Sequence, residues 1–345
     1  MSKSLFRRVA RPSAIALIAA TVTATTVLFG GAASAAPDSG NGSTPSVSDA
    51  ARAKIAAMAS KNRKAKGAKA RLASDNLTFG DVTADGNPDL GAVDSTGRLW
   101  IYPGTGYVYP GTGPRSTRVF GVRIDLGRGW DQFTTIVKHG DWNNDGKPDI
   151  LARNTAGALI FYEGTGTSAV FKPGKQVGRS WQSFKSIVGT GDFNSDGLDD
   201  LIAQKTNGDL LLYRGTGNGA NPLAGSPATI GTSYRGDLLT AIGDITEDGR
   251  TELFYRDAAD KMWVYPSRDG SSPIDHTSKV DFGDWSGVNQ LAAVGNVYSD
   301  AGADPLYPDL LIQWQNTLEV FAFDTADAPY EEFFLGRGWD ALYVF

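Results

Sequence analysis

The chain of 345 residues is 41% hydrophobic and carries 33 Lys and Arg against 38 Asp and Glu, a net charge of −5. With two histidines and no cysteine it excludes a disulfide framework, a cysteine nucleophile and a lipid-modified cysteine, and it leaves little from which to build a Ser-His-Asp site. An acidic balance also disfavours nucleic acid as a partner, since phosphate binding relies on clustered Lys and Arg.

The N-terminus opens with Arg7, Arg8 and Arg11, runs apolar over 14–29, and reaches Ala33-Ser34-Ala35 before Ala36. That is the pattern of a secretory signal peptide over 1–35 and predicts a secreted, extracellular protein. The apolar run is too short for a comfortable membrane span. Residues 36–74 read as a flexible basic linker: APDSGNGSTPS is polar, and residues 51–71 hold eight Lys or Arg and no acid. Ser48 and Asp49 can start a short helix through Met58, with a mobile polar run beyond it. The linker is expected to act as a solvated tether or to meet an anionic cell wall or membrane surface. Residues 75–345 reverse the balance, with 21 basic and 36 acidic residues, a net of −15.

Within that segment GDWNNDGKPD (140–149) crowds three aspartates into ten positions. Like charges this close repel, so the crowding points to a cation among them. Counting Asp141 as position 1, oxygen-bearing side chains fall at positions 1, 3, 5 and 9 as Asp141, Asn143, Asp145 and Asp149, with Gly146 at position 6 for the sharp turn and the carbonyl of Lys147 available at position 7. An EF-hand needs Glu at position 12, where this chain has Ala152, so Asp149 must close the site. Asp, Asn and Gly also make ordinary turns, but the pattern recurs. The same slots hold Asp81, Thr83, Asp85, Asn87 and Asp89, then Asp192, Asn194, Asp196, Leu198 and Asp200, then Asp244, Thr246, Asp248, Arg250 and Glu252. About four structural Ca2+ sites are therefore expected. A fifth copy, GNVYSDAGADPLYPD (295–309), is stretched by an insertion, starts with Asn296, and is not expected to bind metal.

First positions are spaced by 60, 51, 52 and 52 residues, so a unit of about fifty residues occurs five times. YVYPGTGP (107–114) lengthens the first. Each unit has an apolar stretch before the loop, a strand-like stretch after it (DILAR, DLIAQ, ELFYR, DLLIQ) and a third ending in an aromatic (RLWIY, ALIFY, DLLLY, KMWVY, TLEVF), the first three of which run into GTG. Short strands between Gly, Asp and Asn turns predict an all-β fold. Units this small cannot bury a core alone and must stack. The C-terminal GWDALYVF matches GWDQFTTI (129–136) and stops where LTFGDVTADG (77–86) takes up the pattern. Splicing tail to head restores one unit, so the expectation over 75–345 is a five-bladed β-propeller closed by its N- and C-terminal segments, which hides the strand edges.

These loops resemble the VCBS and FG-GAP repeats, the latter familiar from the integrin α-subunit propeller, and the resemblance covers essentially residues 75–345. It implies calcium at the hairpin loops of the four intact copies. Five blades with Gly-Trp motifs are also similar, in architecture only, to tachylectin-type lectins.

Recurring aromatics beside glycines, Trp130, Trp181, Tyr234, Trp285 and Trp339, have two readings. Either they wedge between blades, or they form shallow ligand-binding pockets in which an aromatic face meets a sugar, with several copies adding through multivalency. Arg153, Gln204, Arg256 and Gln313 share one slot, held by Val93 in the first unit, and are expected to hydrogen-bond neighbouring blades or line the channel. The acidic pairs repeat with the scaffold, so no catalytic residue is expected. The functional expectation is a secreted, calcium-binding, non-catalytic module for an extracellular glycan or cell-wall polymer. A protein-interaction adaptor is the alternative, and a polysaccharide-acting enzyme stands behind both.

Overall fold

The computed structural model describes residues 47–66, 80–109, 119–167, 169–268, 273–300, 307–314, 317–323, 331–337 and 343–345. The signal peptide expected over 1–35 lies outside them, as do 36–46 and 67–74 of the linker. Among the described residues no helix is long and apolar enough to cross a membrane.

Five four-stranded antiparallel sheets form the blades of a propeller. Blade 2 runs through Phe133–Val137, Ile150–Asn154, Leu159–Tyr162 and Lys175–Gly178. Blade 3 comprises Phe184–Gly191, Asp200–Lys205, Leu210–Tyr213 and Ala228–Gly231. Blade 4 comprises Leu238–Gly243, Glu252–Arg256, Lys261–Tyr265 and Val280–Asp284. Blade 5 comprises Val288–Gly295, Asp309–Trp314, Thr317–Ala322 and Glu331–Arg337. Blade 1 joins the two ends of the chain: Leu90–Val93, Arg98–Tyr102 and Ile124–Arg128 take Tyr343–Val344 as their first strand.

The first strand of each blade lies against those of its neighbours, which makes it the inner strand. The last contact of this circle is the amide of Ile136 in blade 2, which donates to the Tyr343 hydroxyl of blade 1 (3.3 Å). Second strands are covered on both faces by adjacent blades, so they read as near-continuous buried runs rather than alternating ones. Five apolar clusters fill the five junctions, around Ile136 and Ile150 with Phe345 (blades 1 and 2), Leu151 and Leu201 (2 and 3), Ile202 and Leu253 (3 and 4), Phe254 and Ile312 (4 and 5), and Leu311 with Leu90 (5 and 1). The ring is closed.

Closure rests on few residues. Ala92 and Val93 pair with Val344 and Tyr343, and Gly91 and Phe345 exchange backbone hydrogen bonds of 3.0 and 3.1 Å. Gly91 is required there, because a Cβ would fall 2.3 Å from the Phe345 ring. Two insertions that interrupt the repeat reinforce this junction: Tyr107–Tyr109 of blade 1 pairs in parallel with Tyr298–Asp300 of blade 5.

The expectation of a flexible linker fails for its middle. The short helix expected to end at Met58 runs over Asp49–Lys66. Ser48 caps it by accepting from the Ala51 amide (3.2 Å). Val47, Ala51 and Ile55 join the cluster between blades 4 and 5, and Met58 packs against it. Basic composition suggests a solvated segment, but its apolar residues recur three to four positions apart and are buried on one helical face.

Candidate metal centre

In each of blades 1 to 4 the loop between inner and second strand is held by two carboxylates with distinct roles. The position-1 aspartate folds the loop around itself. Asp81 accepts from the amides of Asp85 and Gly86 (3.1 and 2.8 Å), Asp141 from Asp145 and Gly146 (3.0 and 2.7 Å), Asp192 from Asp196 and Gly197 (2.9 and 2.8 Å), and Asp244 from Asp248 and Gly249 (3.1 and 2.5 Å). The position-9 carboxylate closes it from the far side. Asp89 accepts from the Thr83 amide (2.9 Å), Asp149 from Trp142 and Asn143 (3.0 and 3.3 Å), Asp200 from Asn194 (3.1 Å), and Glu252 from Ile245 and Thr246 (2.8 and 3.1 Å).

Two features of this geometry go beyond the loop pattern itself. At position 4 a residue with a side chain adopts the left-handed conformation in each of the four intact copies, with φ of 56° at Ala84, 58° at Asn144, 64° at Ser195 and 56° at Glu247. Such positions cost about 1–3 kcal/mol each and persist where surrounding contacts fix them. The GTG motif also gains a physical meaning. Its first glycine donates its amide to the second oxygen of the position-9 aspartate, from Gly104 to Asp89 (3.0 Å), Gly164 to Asp149 (2.7 Å) and Gly215 to Asp200 (3.0 Å). A Cβ at these glycines would lie 2.1–2.2 Å from the carbonyl oxygen of Pro88, Pro148 or Asp199, so only glycine brings the amide close enough.

Do the residues fit a divalent cation? Asp81, Asp85 and Asp89 bring one carboxylate oxygen each to within 4.8 Å of one another, and so do Asp244, Asp248 and Glu252. The Thr83 hydroxyl stands between two of these, 3.5 Å from Asp81 and 3.4 Å from Asp89. Asp89, Asp149, Asp200 and Glu252 are fully buried. Burial, with neighbouring acids adding to it, pushes the Asp89, Asp149 and Asp200 carboxyls up to about 7 and lifts Glu252 well above its ordinary range. Burial likewise raises Asp81 and Asp192. Desolvated carboxylates in mutual repulsion are stabilised in their charged form by a nearby cation. In the second loop the Asn143 side-chain oxygen is buried without a hydrogen-bond donor. The donor set is all oxygen, hard and multiple, and it fits Ca2+.

The loops are not equivalent. Those of blades 2 and 3 do not gather three acidic oxygens as the other two do. In them Lys147 pairs with Asp145 (3.4 Å), and the Asn194 amide donates to Asp200 (2.7 Å). The side chains of Asn87, Lys147, Leu198 and Arg250 are not needed as ligands, since position 7 is expected to offer only its carbonyl. In the degenerate fifth copy Asp309 keeps the position-9 role, accepting from Val297 and Tyr298 (2.9 and 2.8 Å), while Asn296 replaces the first aspartate. Loop residues of blades 1 to 4 line one cavity of about 730 Å³, with Asp141, Asp192, Asp199, Asp244, Lys147 and Arg250 among its walls.

The aromatics expected to bind ligand lie elsewhere and are largely covered. Trp181, Tyr234 and Trp285 are buried. Their rings sit 4.8 Å from Tyr213, 4.9 Å from Tyr255 and 5.5 Å from Phe321. None of the three offers a face to a sugar, which corrects the ligand-binding expectation in favour of inter-blade packing. Trp130 is half-buried, 4.9 Å from the Tyr162 ring. Trp339 lies outside the described residues. The backbone amide of each of the four described aromatics donates to the preceding blade, at Gly97, Gly157, Gly208 and Asp260 (2.8–3.0 Å). The polar slot completes that joint. Arg153 donates to the carbonyls of Trp181 and Phe184 (3.2 and 2.6 Å), Gln204 to Tyr234 and Gly236 (2.8 and 2.9 Å), and Arg256 to Trp285 and Val288 (both 2.7 Å). Gln313 is buried in the same slot, and Val93 joins the apolar cluster of its junction.

The FG-GAP-like repeat family matches residues 141–203 and again 192–255, two overlapping passes that each take in two complete loops and the strands between them. Residues 141–255 are thus similar to FG-GAP-like repeats, and the loops of Asp141, Asp192 and Asp244 all fall within the matched stretch. Among solved structures the Dos1 propeller is similar over 72% of this chain, at 10% sequence identity and a TM-score of 0.32. The similarity covers 57% of the length of that chain. No curated protein matches the sequence.

Proposed function

We propose that this FG-GAP-like propeller is an extracellular, calcium-stabilised, non-catalytic module for binding and interaction. The observation that carries the calcium reading is the convergence of Asp81, Asp85 and Asp89, and of Asp244, Asp248 and Glu252, on two points inside 4.8 Å, with the closing carboxylate of each trio buried. Metal held there would pin the hairpin between inner and second strand, so part of its binding energy is folding energy. The N-terminal basic, apolar and Ala-Ser-Ala sequence supports an extracellular site of action, where calcium is abundant enough for weak loops to fill. The test is thermal unfolding of the purified chain: chelator should lower Tm and millimolar calcium restore it. An unchanged Tm, with no heat of calcium binding by calorimetry, overturns the proposal.

The partner we favour is a cell-surface macromolecule, glycan or protein. Burial of Trp181, Tyr234 and Trp285 favours a protein partner, because it leaves Trp130 as the one described member of that set with an accessible edge. Saturable binding on a glycan array that disappears in Trp130→Ala would restore the glycan reading. Absence of binding to any glycan supports the protein adaptor.

A further inference from the structure

The fourth loop differs from the others in what covers it. In the loops of blades 1, 2 and 3, position 4 is exposed, as Ala84, Asn144 and Ser195, and so are the two residues after it. In blade 4 positions 3 and 4 are both buried: Thr246 is 1% exposed and Glu247 is 7% exposed. Two elements from outside the blade account for this. The first is the helix over Asp49–Lys66, whose Asn62 side-chain amide donates to the Thr246 carbonyl (2.8 Å). Ile245, at position 2 of the loop, shares a cluster with Val47, Ala51 and Ile55 of the helix segment. Lys54 fastens the helix at a second point by donating to the Lys279 carbonyl (2.7 Å). The second element is Tyr307 of blade 5, whose hydroxyl bonds the Glu247 carboxylate.

Accepting the calcium reading proposed above, we infer that the fourth loop is a closed, slowly exchanging calcium site whose lid is the chain's own helix over 49–66, and that calcium in this loop and docking of the helix reinforce each other. Asn62 holds the backbone of the residue whose hydroxyl stands among the ligand oxygens, 3.3 Å from Glu252. With the helix docked, the loop keeps the shape that gathers Asp244, Asp248 and Glu252, and an ion leaving the loop must wait for the lid to open. Linkage makes the effect reciprocal: if docking raises affinity for calcium by some factor, calcium favours docking by the same factor. The three uncovered loops have no such lid among the described residues and exchange freely with solvent.

Stopped-flow release tests this on the full calcium-loaded chain, with an excess of a fluorescent chelator as the probe. One equivalent of calcium should leave at least tenfold more slowly than the rest. Glu252→Gln should abolish that slow phase and spare the fast ones. Asn62→Ala, a surface-side change that leaves the blade intact, and Ile55→Ala, which loosens the helix, should each speed it severalfold. In parallel, amide hydrogen exchange over 51–62 should quicken on chelation in the wild type and already be fast in Ile55→Ala. Release of every ion in a single fast phase, or a slow phase indifferent to both helix variants, overturns the inference and leaves the calcium reading standing. A chain that carries and binds no calcium overturns both.

Discussion

Blades 3 and 4 are neighbours with the same strand order, yet they fill their shared slots with different chemistry. The inter-blade joint is neutral in blade 3, where Gln204 donates to Tyr234 and Gly236 and accepts from the Ser186 hydroxyl (2.8 Å). In blade 4 it is ionic: Arg256 donates to Trp285 and Val288 and is itself held by Asp237 through two bonds of 2.9 and 2.6 Å. The acidic loop closes with Asp200 and Gly215 in blade 3, but with Glu252 in blade 4, where Ser267 takes the glycine's place. What the ring repeats is therefore a set of demands, carbonyls to be satisfied and a carboxylate to be positioned, and several side chains can meet each one.

The joint gives the largest expected effect. Arg256→Ala strands two buried carbonyls and removes the partner of the largely exposed Asp237, and should cost about 3 kcal/mol in denaturant unfolding, most of it from the carbonyls. Gln204→Ala strands two carbonyls without leaving a charge behind and should cost about 2 kcal/mol. Equal losses in the two variants would mean that the ionic joint adds nothing over the neutral one. Acid separates them further. Hydrogen bonding to Arg256 holds Asp237 below its ordinary range. A carboxyl whose pKa falls on folding adds stability above its unfolded pKa, and that stability is lost as pH drops through the folded value. Wild type should therefore lose more stability than Arg256→Ala as pH falls through and below the carboxylate range. The Asp237 side chain is 55% exposed, so solvent screening keeps this component small.

Much of this comparison is legible in the sequence. The slot of Arg153, Gln204, Arg256 and Gln313 is visible because a fifty-residue period aligns it, and so are the loop positions, because a turn around a cation demands oxygen at alternate residues and glycine at the sixth. Ring closure is legible because GWDALYVF completes the unit that LTFGDVTADG begins. Other features depend on contacts that no local pattern encodes. A tryptophan beside glycines has the same signature whether a neighbouring blade covers it or solvent does, so sequence cannot tell Trp181 and Trp285 from a binding rim. The parallel pairing of Tyr107–Tyr109 with Tyr298–Asp300 joins two irregular insertions that no period relates. The helix over Asp49–Lys66 is hidden by its own charge, since Lys and Arg are its only charged residues after Asp49 while a few apolar residues decide its docking. The capping glycine is visible as part of GTG, but its purpose is not, because the carboxylate it meets lies fifteen residues back at Asp200.

That glycine supplies the second test. In Gly215→Ala the new Cβ would fall 2.2 Å from the Asp199 carbonyl oxygen, so the hairpin must shift away from the loop it caps. Overpacking of this kind costs about 1–3 kcal/mol. Because the shift also lengthens the bond from the residue-215 amide to Asp200, calcium affinity at the third loop should fall together with stability. A stability loss with unchanged calcium binding would show that the cap supports the strand and not the site.

The smallest effect has the opposite sign and belongs to blade 4. Ser267 already carries a Cβ at the equivalent position, so the longer Glu252 and the altered hairpin have accommodated it, and glycine is no longer required. What remains is its hydroxyl, which is buried with no hydrogen-bond partner. Burying such a group unpaired costs about 1–3 kcal/mol, part of which relaxation recovers. Ser267→Ala keeps the Cβ and removes the orphan, and it should raise the unfolding free energy by about 1 kcal/mol in chelator. The corresponding Gly215→Ala change in blade 3, by contrast, lowers it. Opposite signs for alanine at one slot in adjacent blades would show that Glu252 and Ser267 work as a matched pair. A loss of stability in Ser267→Ala would instead give the hydroxyl a structural role, and the matching measurement in excess calcium would show whether the metal supplies it.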